Sequence, residues 1–191
     1  MSHDFLPEDT NEAQVLLAAQ AGDEVAFGSL VRQWKRRMLG LAGRYADCHS
    51  ELDDLGQEIF VKVWKGLPGY RFDAPFEHWI MRLAVRVCYD HLRKAKGRRW
   101  LHFVEPEQLA REAESTSNHE PKENALDTLR PLLNKLSADE RLVLTLLHLE
   151  ERSVAETATL TGWSQANVKV RAHRAREKMK RWLRESDNHK P

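Results

Sequence analysis

Cysteine is scarce in this sequence, and long apolar runs are absent. Cys48 and Cys88 are the only cysteines among 191 residues, and they form no CxxC pair. Neither a disulfide framework nor a zinc site is therefore indicated. No stretch approaches the roughly 18 apolar residues of a membrane span, and the first residues lack the basic flank and apolar run of a signal peptide. We therefore expect a reduced, cytoplasmic protein with no membrane insertion.

An excess of charge of one sign is also missing. Lys and Arg number 30 against 29 for Asp and Glu, which gives a net charge of +1. The charge is instead segregated along the chain, because residues 82–99 are basic and residues 103–129 are acidic. Lysines and arginines concentrate again in residues 169–181. Two basic segments separated by an acidic one predict two nucleic-acid-binding faces, joined by a linker that does not bind nucleic acid.

The sequence lacks the alternating apolar pattern of β-strands and any internal repeat. Apolar side chains instead recur every three or four residues, as on one face of a helix. Residues 100–124 are the exception, because they mix acids, small polar residues and prolines with little periodicity. We therefore predict an all-α protein of two small domains: a four-helix bundle at 11–99, a flexible acidic linker at 100–124 and a smaller helical domain at 125–185.

Capping residues and helix breakers predict where the helices begin and end. Caps are predicted at Asn11, Asp23, Ser50, Ser137 and Ser153. Gly22 is predicted to end the first helix. Gly97 is predicted to end the fourth, which should begin near Pro75 and reach about Lys96. The helix that follows Ser137 is predicted to run without interruption from Ala138 to Leu149.

Residues 151–183 predict a helix-turn-helix. Gly162 can supply the positive φ of a sharp turn, and Ser164 is placed to cap a second helix that begins at Gln165. One apolar stripe of that helix is predicted to face inward, formed by Val168, Ala172, Ala175, Met179 and Leu183. Its other positions are largely basic, as in helices that enter the DNA major groove. A solvated C-terminal helix is the alternative, but the caps, the turn glycine and the charge bias coincide and favour DNA binding.

An acidic patch is predicted on the third helix. Asp53, Asp54, Gln57 and Glu58 lie at helical spacings and so share its outer face. Paired carboxylates can bind a metal or act in acid–base catalysis, but no histidine or nucleophile stands at a confirming spacing. We therefore predict a solvated acidic face or a protein-docking face, with no catalytic residue, no metal site and no cofactor.

Aromatic residues cluster just before the basic fourth helix. The stretch from Tyr70 to Trp79 carries several aromatic side chains and an arginine, a combination suited to stacking on unpaired bases at about 1–3 kcal/mol per base. Phe76 and Trp79 fit the helical core stripe better than a surface role. The side chains predicted to be exposed are Tyr70, Arg71, Phe72 and His78.

Several of these residues together resemble a known family, the group IV or extracytoplasmic-function sigma factors of bacterial RNA polymerase. The family's DLxQExF motif is similar to Asp54, Leu55, Gln57, Glu58 and Phe60. A second match comprises Phe72, Phe76, Trp79, Ile80, Leu83, Ala84, Asp90 and Arg93. A third match, to region 4, comprises Leu136, Arg141, Val143, Leu144, Ala158, Gly162, Val168, Lys169, Arg171, Arg174, Ala175 and Arg176. The resemblance covers about residues 13–99 and 129–183, with the motifs in the right order and at the right gap.

The resemblance implies a role for each charged surface. The acidic patch would dock on the β′ clamp helices of core RNA polymerase, and the β flap is a further implied contact. Contacts to the minus-ten element of promoter DNA are implied for Tyr70, Arg71, Phe72, His78, Arg82, Arg86, Arg93, Lys94 and Arg98. Contacts to the minus-thirty-five element are implied for Gln165, Asn167, Lys169, Arg171 and Arg174, which would meet bases or phosphates. An anti-sigma factor is an implied partner, and the protein itself would perform no chemistry.

The chain departs from the family pattern at Gly56, Arg86 and Val170. A glycine is costly inside a helix, Arg86 stands where Asn is common, and Val170 stands where Ser or Thr is usual. Two other functions stay open from the residues alone. A conventional transcription regulator would use the N-terminal bundle to sense a ligand or to dimerise. A hydrolase would use the carboxylates of the acidic patch.

Overall fold

A computed structural model describes residues 10–101 and 125–187, and all the regular structure in these ranges is helical. The chain divides between His91 and Leu92 into two compact units. The all-α prediction is confirmed. Most of the predicted linker lies outside the described residues, and its first two residues, Trp100 and Leu101, belong to a helix.

Among its described residues, the N-terminal unit contains three whole helices and the first part of a fourth, which continues past the division after His91. They are α1 (Thr10–Gln20), α2 (Glu24–Ala42), α3 (His49–Gly66) and α4 (Phe76–Leu101), with a short 3-10 turn at Leu67–Gly69. Helix α2 packs on both α1 and α3. Its apolar stripe supplies the buried residues Leu30, Trp34, Met38 and Leu41. Helix α3 contributes Leu55, Ile59 and Val63 to the core, so its remaining faces are available to solvent.

Two of the predicted helix boundaries in this unit are confirmed. Oδ1 of Asp23 accepts hydrogen bonds from the backbone N–H groups of Val25 (2.8 Å) and Ala26 (3.1 Å), so Asp23 caps α2. Gly22 adopts a φ of +94°, which ends α1 in a conformation that favours glycine.

Three other predicted boundaries are wrong. Asn11 lies inside α1, and α3 begins at His49 after Cys48, whose side chain makes no cap, rather than after Ser50. Gly97 lies within α4, which continues to Leu101. A single glycine costs a helix only about 1 kcal/mol, which does not stop a helix of 26 residues.

The C-terminal unit contains four α-helices and one π-helical turn among the described residues. They are α5 (Ala125–Lys135), α6 (Ala138–Leu144), the π turn (Thr145–Leu149), α7 (Val154–Thr161) and α8 (Gln165–Asp187). One side of α8 packs on α6. Its predicted inner stripe is confirmed at Val168, Ala172 and Ala175, whereas Leu183 is exposed.

The predicted caps in this unit are confirmed, but the predicted extent of one helix is wrong. Ser137 with Glu140 and Ser153 with Glu156 both form complete capping boxes. The helix predicted without interruption to Leu149 instead changes to a π turn at Thr145. The N–H of Glu150 donates to the carbonyl of Thr145, five residues earlier, at 2.9 Å. Apolar periodicity does not distinguish the two helical forms over so short a segment.

Candidate nucleic-acid interface

The acidic patch lies on the outer side of α3. Asp53, Asp54 and Gln57 are exposed, and Glu58 is half-buried. The His49 imidazole lies 3.7 Å from the Asp53 carboxylate, and both side chains are largely exposed. Within the residues that the structure describes, no group of three or more potential ligands could hold a metal ion. The patch presents exposed carboxylate and amide oxygens to solvent.

Gly56 permits α2 and α3 to approach closely beneath this patch. A Cβ atom at this position would lie 2.5 Å from Cδ2 of Leu39 on α2, a distance at which Leu39 must move. Gly56 is itself buried in the core of the unit. The departure from the family pattern at this position thus has a packing reason.

The loop that connects α3 to α4 differs from its prediction. Tyr70 and Phe72 were expected to be exposed, but they are only 5% and 7% exposed. The Tyr70 hydroxyl donates to the carbonyl of Ala74 at 2.7 Å, and Nε2 of Gln20 donates to the carbonyl of Tyr70 at 2.6 Å. Burial, together with the nearby carboxylates of Glu12 and Asp73, raises the pKa of Tyr70 to about 12.

The physical reason for this burial is an aromatic cluster. The Tyr70 ring lies 4.7 Å from Phe72, 5.6 Å from Phe76 and 5.3 Å from Trp79, measured between centroids. Such contacts are favourable beyond the area they bury. Phe72 reaches the cluster with a φ of +59°, a left-handed conformation that is unusual for a side chain of its size. Phe76 and Trp79 were predicted to belong to the core, and the cluster that they form also includes Tyr70 and Phe72.

Exposed basic side chains extend from the loop onto α4. Arg71 is 82% exposed and lies 3.1 Å from the Asp73 carboxylate. His78, Arg82 and Arg86 are exposed at intervals of four residues on α4, and Arg93 and Lys94 are exposed further along. The opposite side of α4 is buried through residues that include Met81, Val85 and Cys88. The predicted contact at Arg98 concerns a side chain outside the described ones.

The helix-turn-helix is formed by α7, the turn at Gly162 and α8. Gly162 has a φ of +76°, and the Ser164 hydroxyl accepts from the N–H of Asn167 at 3.2 Å. On α8 the side chains of Gln165, Lys169 and Arg174 are exposed.

Arg171 stands apart from these exposed side chains, because its guanidinium is held within the chain. It forms an ion pair with Asp139 of α6, and its Nε donates to Oδ1 of Asn167 at 2.7 Å. It also lies over the Trp163 ring, 4.3 Å from the centroid. Sequence reasoning missed Asp139, because no local pattern connects α6 with α8, and it also missed Trp163 in the turn before α8.

A second ion pair links the same two helices. Nζ of Lys178 on α8 lies 2.8 Å from the carboxylate of Glu140 on α6. Burial alone would raise the pKa of Glu140, but hydrogen bonds from Lys178 and Ser137 outweigh it and lower that pKa. The position of α8 on α6 is therefore fixed by two polar contacts in addition to its apolar stripe.

An apolar groove of about 270 Å³ lies in the C-terminal unit beside α8. Its walls include Leu133, Leu144 and Met179. His148, Arg176 and Lys180 also line it, so basic side chains accompany the apolar walls.

One helical unit carries an acidic patch and a basic helix, and the other carries a helix-turn-helix. This combination is typical of a DNA-binding protein. The sigma-70 region 2 profile matches residues 30–98, and the sigma-70 region 4 profile matches residues 126–179. The chain is 30% identical to the ECF RNA polymerase sigma factor SigM of Mycobacterium tuberculosis over 176 residues, 92% of this chain and 86% of SigM. It is 30% identical to the RNA polymerase sigma-H factor of Pseudomonas aeruginosa over 175 residues, 87% of this chain and 90% of that protein.

Solved structures share the fold. CnrH in complex with the cytosolic domain of CnrY superimposes with a TM-score of 0.59 at 24% identity, covering 93% of this chain and 97% of CnrH. RpoE of Bartonella quintana, in complex with the anti-sigma factor NepR, gives a TM-score of 0.59 at 21% identity, with 83% and 96% covered. The chain belongs to the sigma-70 family, as an extracytoplasmic-function sigma factor. Sigma factors are transcription initiation factors rather than enzymes.

Across the described ranges, none of the helices combines the length and the apolar character needed to cross a membrane.

Proposed function

We propose that this protein binds bacterial core RNA polymerase and directs it to promoters by reading two DNA elements. The observation that carries the proposal is that matches to both sigma-70 regions lie in one chain, and each region presents exposed charged helices. The acidic patch of α3 docks on the β′ clamp helices, where Asp53, Asp54, Gln57 and Glu58 meet cationic side chains. Complementary charge of this kind raises the association rate and fixes the register of docking.

The minus-ten element is bound by the loop before α4 and by the basic side of that helix. Arg82, Arg86, Arg93 and Lys94 are exposed and suited to phosphates and upstream bases. Tyr70 and Phe72 act from within the aromatic cluster, because their burial lets them shape the loop rather than stack freely. Arg71 and His78, which are exposed, supply the direct contacts there.

The minus-thirty-five element is bound by α8 in the major groove. Gln165, Lys169 and Arg174 contact DNA directly, since each is exposed. Arg171 holds α8 in position through Asp139. It also orients Asn167, because Arg171 has only donors and therefore turns the Asn167 carbonyl oxygen toward itself.

Three further roles complete the proposal. The β flap of the polymerase docks in the apolar groove of the C-terminal unit, whose apolar walls suit a protein helix. An anti-sigma factor regulates the protein, as a fold relative bound to one supports. The protein performs no catalysis and acts in the cytoplasm, where the polymerase and the promoter are.

Run-off transcription tests the proposal. Purified bacterial core polymerase is given templates with a randomised duplex segment upstream of a fixed transcribed region, with and without this protein. Specific transcripts that require the protein are expected, and their templates should share two sequence elements at a fixed spacing. The absence of protein-dependent transcripts, combined with tight binding of the protein alone to a DNA site, would instead support a conventional regulator.

A further inference from the structure

Val170 lies at the centre of the outward side of α8. Its side chain is 47% exposed, although it is a large apolar residue. Val168 and Ala172, two positions before and after it, are buried. At about 100° per residue, Val170 points about 160–200° away from both of them. Val170 therefore points away from the core more directly than any of the residues predicted to contact the minus-thirty-five element, and it faces whatever binds the outer side of α8.

The neighbours of Val170 on this side set its chemical surroundings. Ala166 and Arg174, one helical turn on either side, are exposed, and so is Lys169. Arg171, which is adjacent in sequence, is drawn away to Asp139 and Trp163. The middle of the surface is thus a small apolar strip of Ala166 and Val170 with cations around it.

A strip of this kind fits one feature of the DNA major groove. Phosphates and most base edges offer hydrogen-bonding groups, which a valine side chain cannot satisfy. The C5-methyl group of thymine is the apolar group that base edges present in that groove. Burying a valine methyl against it removes apolar surface of both partners from water.

We propose that Val170 is a specificity-determining residue that selects a thymine at one position of the minus-thirty-five element by contact with its C5-methyl group. This inference rests on the proposed function, since it needs α8 to lie in the major groove. Arg174 and Lys169 then contact the DNA phosphates and the adjacent bases. Val170 distinguishes a T·A pair from other base pairs at the position between them.

The first stage of the test identifies the element. Holoenzyme assembled from core polymerase and this protein selects duplexes from a library randomised across both promoter elements. At least one upstream position should be enriched in thymine. If no upstream sequence at all is enriched, the proposed function fails, whereas an enriched upstream element without a thymine overturns only the role of Val170.

The second stage removes single methyl groups. Each upstream thymine is replaced in turn by deoxyuridine, which keeps every hydrogen-bonding group. At one position this change should weaken binding by about fourfold, the fold-change that corresponds to burying one methyl group. Holoenzyme with Val170→Ala should bind the thymine and uridine duplexes equally at that position and should still discriminate at the others.

Val25→Ala is the matched control, because the Val25 side chain is 77% exposed on α2 and takes no part in any DNA or polymerase contact proposed above. Holoenzyme with Val25→Ala should prefer thymine over uridine to the same extent as the unaltered holoenzyme. Folding is not at risk in either variant, since alanine has a higher helix propensity than valine and both sites are exposed. A Val170→Ala holoenzyme that retains the thymine-over-uridine preference at every position would overturn the proposal.

Discussion

Arg171 lies on α8, yet its guanidinium contacts three side chains of its own chain. The ion pair with Asp139 spans α6 and α8, the contact with Asn167 lies within α8, and the contact with Trp163 links the helix to the turn before it. An arginine held in this way orders the groups around it at little further entropic cost, because its planar fork is already oriented. It can influence DNA binding without touching DNA.

Asp139→Asn tests this role, because it keeps the shape of the side chain and removes its charge. Holoenzyme affinity for promoter DNA should fall by about fivefold, equivalent to about 1 kcal/mol for a partly exposed ion pair. Arg171→Ala should cause a similar loss, and the double variant should be little worse than either single variant. The salt dependence of binding should stay unchanged, whereas the control Arg174→Ala should reduce its slope by about 1. If Arg171 read a base directly, Asp139→Asn would leave affinity unchanged or improve it.

Glu140 makes the stability of the C-terminal unit depend on pH. Its pKa is lower in the folded protein than in the unfolded chain, so the ionised carboxylate favours the folded state. The stabilisation is complete above the ordinary glutamate pKa of 4.5 and is lost as the pH falls through the lower folded value. The contribution is about 1 kcal/mol, because Lys178 is 43% exposed and water screens the pair.

The measurement is the pH dependence of thermal unfolding for the full chain and for Glu140→Gln. Glutamine preserves the capping box with Ser137 but carries no charge. The unaltered protein should be the more stable of the two at neutral pH, and the difference should shrink below about pH 4.5. A difference that stays constant across this range would show that the pair with Lys178 contributes nothing.

At the level of helices, Gly56 sets how closely α2 and α3 approach. Alanine is favoured over glycine in a helix by about 1 kcal/mol, yet its Cβ would meet Leu39 here. We expect Gly56→Ala to stabilise the protein by less than the full helix-propensity gain, because the added Cβ displaces the terminal Cδ2 of Leu39. In a Leu39→Ala background the same substitution should stabilise it by the full amount. Denaturant unfolding of the unaltered protein, the two single variants and the double variant measures the coupling free energy between positions 39 and 56.

Gly40→Ala is the matched control for that series. Gly40 is an exposed glycine of α2 with nothing within 4 Å of the position of an added Cβ. The substitution should stabilise the protein by about 0.5–1 kcal/mol through helix propensity alone. If Gly56→Ala stabilised the protein as much as Gly40→Ala does, the close approach of α2 and α3 would place no constraint on position 56.

Helix boundaries show which local features can be predicted. Asp23, Ser137 and Ser153 cap helices as predicted, whereas Asn11 and Ser50 do not, although a cap depends only on residues within one turn of it. Gly97 failed as a breaker and the π turn at Thr145 was missed, because both depend on how a whole segment is supported. The side-chain pattern of an element is therefore more predictable than its exact ends.

In the whole molecule, the exposure of the charged helix faces could be predicted from the sequence. The contacts that individual side chains make within the protein could not. The acidic patch and the basic side of α4 face outward because the apolar stripes opposite them had to be buried. The burial of Tyr70 and Phe72 depends on rings brought together by tertiary packing. The pairing of Arg171 with Asp139 spans 32 residues, the difference between their numbers, and no periodic pattern reports it.

Asp54→Arg tests the division of labour between the two units. Asp54 is exposed on α3, so the change reverses charge in the acidic patch without disturbing the core. Core polymerase should no longer co-purify with the variant, because cations would face the cationic clamp helices. Promoter-dependent transcription should be lost together with polymerase binding. Glu24→Arg, the same reversal at an exposed site at the start of α2, should leave both intact.

DNA binding by the variant without polymerase completes the argument. Each unit presents only a small DNA-binding surface, so either alone should bind weakly, and polymerase should gain specificity by tethering both at high effective concentration. Asp54→Arg should therefore leave the weak, salt-sensitive DNA binding of the free protein unchanged while it abolishes promoter-specific binding in the presence of core enzyme. A variant that still co-purified with core polymerase would disprove the assignment of the acidic patch. A free protein that already bound promoters tightly would disprove the need for tethering.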